Sequence, residues 1–338
     1  MKNIIQLNIP NLKGNEKRYI QNCISTNWIS TSGKYIGQFE KKLCEFTKSK
    51  NAIACINGTA ALQISLKIVG VKNEDEVIVP TLTFIAPVNA IKYNNAIPIF
   101  MDADQTHNLD INKTIDFIKN NTFFKKKFSY NKKSKRRISA IIPVHVWGNA
   151  VNLEKLISLC KKKNIKIVED ASESLGTFYT EGKLKGKHTG TVGDVGCISF
   201  NGNKIITTGG GGVILTNNNS YAKKARYLIS QAKNDTLNFV HNEIGYNFKL
   251  TNIHAAIGLG QLEKINYYLR KKKEINNFYQ KNIKNKKLFF LKSPKYAKNN
   301  YWMNILTIKN LKNDNKAKKF LKKFLKNDIE SRYIWKHW

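Results

Sequence analysis

Three short stretches of this chain carry residue types able to bind an anionic molecule and work on it. Asn57-Gly58-Thr59 sets a residue without a side chain beside a hydroxyl, so backbone N–H groups can approach an anion there; the same turn also serves as a plain helix cap. Asp170 follows the apolar run Ile165 to Val168, and its carboxylate can hold a buried cation such as a protonated pyridine nitrogen, or cap a helix over Ala171 to Leu175. Glu173 stands three residues further on, which is also the spacing of a capping box. Lys204 closes the run Ser199-Phe200-Asn201-Gly202-Asn203-Lys204, and Gly209-Gly210-Gly211-Gly212 comes soon after. A strand that delivers Ser199, a short turn and one lysine, followed by backbone without side chains, is a way to hold one amine at one spot.

Other chemistries fit the sequence less well. Gly182-Lys183-Leu184-Lys185-Gly186-Lys187-His188 has the wrong spacing for a nucleotide-binding loop and His where Ser or Thr would follow Lys. The glycines at 209–212 run into a strand and open no helix. His145, His188 and His254 show no ligand pairing, and five scattered cysteines (Cys23, Cys44, Cys55, Cys160, Cys197) form no C-x-x-C pair, so no metal site is expected.

The elements that position these residues alternate. Ala52–Ile56, Glu76–Val79, Ala140–Val144, Ile165–Val168, Cys197–Phe200 and Val213–Leu215 read as buried strands, with helices over Thr59–Val69 and Asn152–Lys163 between them. That pattern gives a mainly parallel sheet between helices, with Asp170 at the carboxyl edge where ligands bind. Asn252 to Leu269 reads as one amphipathic helix. The strand-like Asn304–Ile308 and a Lys-rich helix at 314–326 suit a smaller C-terminal α+β domain, and 121–137 reads as a polar, basic, exposed insertion. The division is a large domain over 1–250 with an N-terminal arm, and a linking helix with the small domain over 251–338.

Lys and Arg number 58 against 23 Asp and Glu, a formal charge of +35 that raises the question of nucleic acid. The basic residues are mostly lysines in Asn- and Ile-rich segments such as 281–287, without interleaved aromatics or a docking motif, so a solvated surface is expected and no nucleic-acid partner. The field can still draw in a phosphorylated substrate. Neither an apolar leader nor a run long enough to span a bilayer is evident, so a cytoplasmic protein without membrane contact is expected.

Asn57 to Leu62, Pro80-Thr81-Leu82-Thr83-Phe84, Glu169 to Gly176, Ser199 to Gly212 and Gly245-Tyr246-Asn247-Phe248-Lys249 together resemble, in order, the DegT/DnrJ/EryC1/StrS sugar aminotransferases of the fold-type I pyridoxal 5'-phosphate (PLP) enzymes. The matching stretches lie between about residues 28 and 262, and the run from Phe200 to Gly212 is most similar to the branch acting in legionaminic-acid and related amino-sugar synthesis. The resemblance implies a large domain with a seven-stranded sheet and PLP as cofactor. It implies that Lys204 holds PLP covalently, that Asp170 pairs with the pyridine nitrogen, and that Glu173, often Gln in relatives, faces the ring hydroxyl. Gly58, Thr59 and Ser199 would bind the phosphate, Phe84 would stack on the ring, and Asn247 would reach the phosphate of a neighbouring subunit in a homodimer with shared sites. Trp28 to Gly33 is similar to the family's sugar-pocket mouth. The implied reaction moves an amino group from L-glutamate to C4 of a UDP-linked 4-keto-6-deoxy-2-acetamido hexose, with a GDP-linked keto sugar as nearest rival and a non-catalytic regulator as the alternative of another class. Relatives usually continue past a segment like Arg332-Tyr333-Ile334-Trp335, so an incomplete small domain is also expected.

Overall fold

The computed structural model describes residues 4–235, 237–309, 311 and 314–335. The sheet is built from β1 (Asn51–Cys55), β2 (Glu76–Pro80), β3 (Ile97–Met101), β4 (Thr122–Lys125), β5 (Phe128–Asn131), β6 (Arg137–Ile141), β7 (Lys166–Asp170), β9 (Val195–Ser199) and β10 (Gly212–Thr216), while β8 (Phe178–Tyr179) lies apart from it. Its main path runs β1-β10-β9-β7-β6-β2-β3. From β9 to β3 the neighbours are parallel, and β10 runs antiparallel to both of its partners, so the expected mainly parallel seven-stranded path is present.

The apolar strand runs are buried on both faces because helices cover both. On one face α1 (Glu16–Ser25), α2 (Lys34–Thr47), α3 (Gly58–Ile68), α7 (Asn219–Ile229) and α8 (Asn252–Glu263) enclose a core with Phe39, Leu43, Leu62 and Ile64. On the other, α5 (Ile111–Asn120) and α6 (Glu154–Lys163) set Ile118, Leu156 and Cys160 against Ile78, Ile138 and Ile167. The helix α4 (Ala86–Tyr93) joins β2 to β3.

Two expectations need correction and one needs an addition. The stretch 121–137 lies largely exposed, as expected, but is ordered as a β-hairpin in which β4 pairs with β5 and β5 joins β6; Thr122 and Ser129 are buried, and the Phe123 and Tyr130 rings stack 5.5 Å apart. Asn252 to Leu269 is two helices: α8 stops at Lys264, and α9 (Ile265–Asn282) starts immediately after it. No helix follows Asp170, because Asp170 Oδ1 accepts from the Ser172 N–H at 2.9 Å and Gly176 takes a φ of +89°, which turns the chain at once. The capping reading of Glu173 falls with that helix.

Beyond α9 come β11 (Leu288–Phe290), β12 (Ala297–Lys298), β13 (Leu306–Ile308) and α10 (Asp314–Lys326). β11 pairs with β13, and β12 pairs with β8, which ties this region back to the large sheet's surroundings. The N-terminal segment returns to it as well, since Ile5 bridges Ile329.

Candidate active site

A cavity of about 430 Å³ opens at the carboxyl ends of the parallel strands, lined by Gly58, Thr59, Phe84, Asp170, Glu173, Ser199 and Lys204. Asn247 is not on this wall; it bridges Ser230 elsewhere in the chain. Trp28 to Gly33 does not line it either, and Trp28 stays exposed.

Local geometry explains each placement. Asn57 caps α3 in extended conformation, accepting the Ala60 N–H on its side chain at 2.8 Å and the Ala61 N–H on its carbonyl at 3.1 Å. The N–H groups of Gly58 and Thr59 are thereby left available at the positive end of the helix. Asn57 is the cap, and the backbone of Gly58 and Thr59 stays free of that role and faces the cavity wall. A Cβ at Gly58 would lie 2.8 Å from the Ser199 Cβ, and one at Gly212 would lie 2.7 Å from the Gly58 nitrogen, so only glycines let these backbones close around the turn. Ser199, the last residue of β9, sits beside that cradle.

Asp170 ends β7 and is buried. Its neighbour Glu169 is wholly buried; burial opposes its ionisation, but the bonds from His145 Nε2 and from the Gly193 and Gly190 N–H groups prevail and hold its carboxyl below the usual range. His145 accepts the Val151 N–H on Nδ1 at 3.0 Å, which leaves Nε2 to face Glu169 at 2.9 Å. This packing fixes the strand end that presents Asp170.

Glu173 lies across from Lys204, with Oε1 3.7 Å from Nζ, and its Oε2 accepts the Trp147 N–H at 2.8 Å. Burial pushes the Glu173 carboxyl up to about 7, with Lys204 and the Trp147 N–H opposing and Asp170 adding to the rise. A carboxyl raised above its unfolded value of 4.5 keeps its proton in the fold while the unfolded chain loses one, so stability falls as pH climbs from about 4.5 to about 7 and then levels. Glu173→Gln, which keeps an acceptor for Trp147, is expected to stabilise the cofactor-free protein at pH 8 by up to about 3 kcal/mol. Thermal melts at pH 8 and pH 5 check this; a gain that does not shrink at pH 5 contradicts it.

The sequence reading missed an aromatic wall. Trp147, in the 3-10 turn Val146–Gly148, takes a left-handed φ of 58°, a conformation that costs a non-glycine residue about 1 kcal/mol or more. Its bond to Glu173 and its stacking offset that cost. The Trp147 ring lies 4.4 Å from that of Trp335 and 6.2 Å from that of Trp302, all nearly parallel, and Trp335 lies 6.1 Å from Phe84. Lys204 Nζ stands 4.2 Å from the Trp302 ring centroid. Arg332 also lines the cavity, paired at 3.2 Å with the partly exposed Glu330.

This donor set fits PLP. The open helix end with Ser199 suits a phosphate dianion without any cationic side chain, Asp170 suits a protonated ring nitrogen, Phe84 supplies an apolar face, and Lys204 is the lysine on the wall.

A family model described as the DegT/DnrJ/EryC1/StrS aminotransferase family matches residues 10–337. A GDP-perosamine synthase of Escherichia coli O157:H7 is 40% identical over 300 residues, covering 88% of this chain and 76% of that protein. A UDP-4-amino-4,6-dideoxy-N-acetyl-beta-L-altrosamine transaminase of Campylobacter jejuni is 33% identical over 264 residues, covering 77% and 65%. Among solved structures, Helicobacter pylori PseC, an aminotransferase involved in the biosynthesis of pseudoaminic acid, superposes with a TM-score of 0.85 at 24% identity over 99% of this chain and 85% of that one, a likeness of fold.

Proposed function

We propose that this chain, which belongs to the DegT/DnrJ/EryC1/StrS aminotransferase family, moves an amino group from L-glutamate to C4 of a GDP-linked 4-keto-6-deoxy hexose as a homodimer in the cytoplasm. The coarser statement stands by itself: it is a PLP-dependent nucleotide-sugar aminotransferase of amino-sugar biosynthesis. The observation that carries the reading is one cavity that brings together an anion cradle, a buried carboxylate at a strand end and one lysine. The GDP-linked acceptor is favoured by the 40% identical GDP-perosamine synthase. A UDP-linked 4-keto-6-deoxy-2-acetamido hexose is the second reading, supported by the 33% identical altrosamine transaminase.

PLP supplies, when bound, an electron sink for the carbanion formed at the donor's Cα. Asp170 opposes the positive charge of a protonated ring nitrogen and so keeps the proton there. Lys204 would hold the cofactor, and its amine would serve as the base that moves a proton at the donor's Cα. Glu173, whose carboxyl burial raises to about 7, would face the ring hydroxyl. Gly58, Thr59 and Ser199 anchor the phosphate, and Phe84 packs on the ring. Asn247, which stands off this cavity, reaches the phosphate in a neighbouring copy. No described helix is long and apolar enough to cross a membrane.

Incubation with glutamate and a panel of GDP- and UDP-linked 4-keto sugars, with the products weighed by mass spectrometry, tests the assignment. The GDP-linked 4-keto-6-deoxy hexose is expected to gain the amine with a kcat/KM at least about tenfold above the rest, which is about 1.4 kcal/mol of discrimination. Preference for the UDP-linked acetamido sugar would transfer the assignment to the second reading, and turnover of neither would overturn it.

A further inference from the structure

Behind Lys204 four residues from distant parts of the chain close into a ring of hydrogen bonds. The carbonyl of Asn203, the residue before Lys204, accepts from Asn8 Nδ2 at 2.5 Å and from Trp302 Nε1 at 2.6 Å. Lys272, on α9, ties these two donors together: its Nζ donates to Asn8 Oδ1 at 2.9 Å and to the Trp302 carbonyl at 3.2 Å. Trp302 is 4% exposed, and its peptide N–H is held by Asn300 Oδ1 at 2.9 Å, so the indole under Lys204 is fixed from several sides. Lys204 and Lys272 also both line a second cavity of about 140 Å³.

Lys272 differs from the lysines beside it. Lys271 pairs with Glu274 at 2.7 Å on the exposed side of α9, whereas Lys272 meets no carboxylate among the described residues. Burial pushes its amine down to about 8. A part-buried ammonium without a counter-charge costs free energy, and a ring of neutral partners around one turn is an odd place for one if the lysine only fastens α9.

We propose that Lys272 is a positioning residue for Lys204, holding the Asn203 peptide and the Trp302 indole face so that the Lys204 amine keeps one orientation toward the cavity. The inference rests on the reading of Lys204 as the amine that carries the cofactor. A four-carbon side chain has many rotamers, and the bracket narrows them by fixing both the backbone it leaves and the surface it lies on.

The test compares wild type, Lys272→Met, Lys272→Arg and Asn8→Leu. Each is stripped of cofactor and mixed with PLP while the absorbance of the covalent link is followed, and kcat, KM for glutamate and the melting temperature are measured alongside. Lys272→Met is expected to slow link formation and kcat about tenfold while KM changes less than about twofold, with Lys272→Arg recovering part of the loss. Asn8→Leu, which removes one arm and leaves Lys272, is expected to slow link formation about threefold and serves where Lys272→Met fails to fold. Wild-type link formation and kcat in Lys272→Met, or in Asn8→Leu where that is the variant measured, overturn the proposal even if the melting temperature falls, since that pattern is mere fastening. Borohydride reduction of the wild type maps the link: a label on another lysine overturns both this proposal and the assignment of Lys204, and a label on Lys204 with unchanged variant rates overturns this proposal alone.

Discussion

Lys204→Ala is expected to abolish turnover, with kcat lower by about 10⁴-fold, because in the proposed reaction the only lysine on the cavity wall among the described residues is also the group that shuttles the proton. The protein should remain folded. Lys204 is only partly held by its surroundings, through Glu173 at 3.7 Å and the Trp302 ring at 4.2 Å, and removal of its amine leaves the anion cradle of Gly58, Thr59 and Ser199 untouched. The variant should therefore still bind PLP through the phosphate. Wild type should be yellow, change its absorption band when glutamate is added, and yield after borohydride reduction a Lys204 peptide heavier by the cofactor. Appreciable turnover by Lys204→Ala, or a colourless wild type indifferent to added PLP, would refute the assignment.

Asp170→Asn should have the second largest effect. The substituted amide would keep the turn, since its side-chain oxygen can still accept from the Ser172 N–H as Asp170 Oδ1 does at 2.9 Å. What it lacks is charge. Without a carboxylate opposite the ring nitrogen the proton there is lost, and kcat is expected to drop by at least about 10²-fold, or about 2.7 kcal/mol in the barrier. Steady-state kinetics beside a PLP titration separates the outcomes: a near-wild-type kcat removes Asp170 from the mechanism, and a lost cofactor with unchanged chemistry would make it a binding group only.

The parts of this site that the sequence makes legible are those built locally. Gly58 and Thr59 follow a strand and open a helix, Asp170 ends an apolar run, and Ser199 and Lys204 share one turn, so strand-end logic places them on one sheet edge. The tryptophans are not legible that way. Trp302 and Trp335 arrive from beyond residue 300, with no spacing that relates them to Lys204, and only the tertiary fold brings them to the wall. Trp147 had a signal that passed unused: it lies shortly after β6, and Val144 and His145 pair with Asp170, so it leaves the same sheet edge. The misread helix after Asp170 shows the reverse error. Asp170 and Glu173 have capping-box spacing, but one side chain closes its own turn and the other is claimed by Trp147, a partner remote in sequence. The hairpin at 122–131 was hidden by its lysines, although Phe123 and Tyr130 face each other across it.

The cavity draws its cradle, carboxylates and lysine from residues between 57 and 211, and Trp302, Arg332 and Trp335 from a stretch beyond 300. In genetic terms the two stretches are separate but not independent, because Trp302 bonds the Asn203 carbonyl and stacks on Trp147. A single recombination event in the coding sequence between them would replace Trp302 and Trp335 in one step, and the incoming stretch would have to restore both contacts. Lineages that carry this fold can thus vary the wall beyond residue 300 only within the limits set by those contacts, and chimaeras joined near residue 300 offer a direct route to finding them.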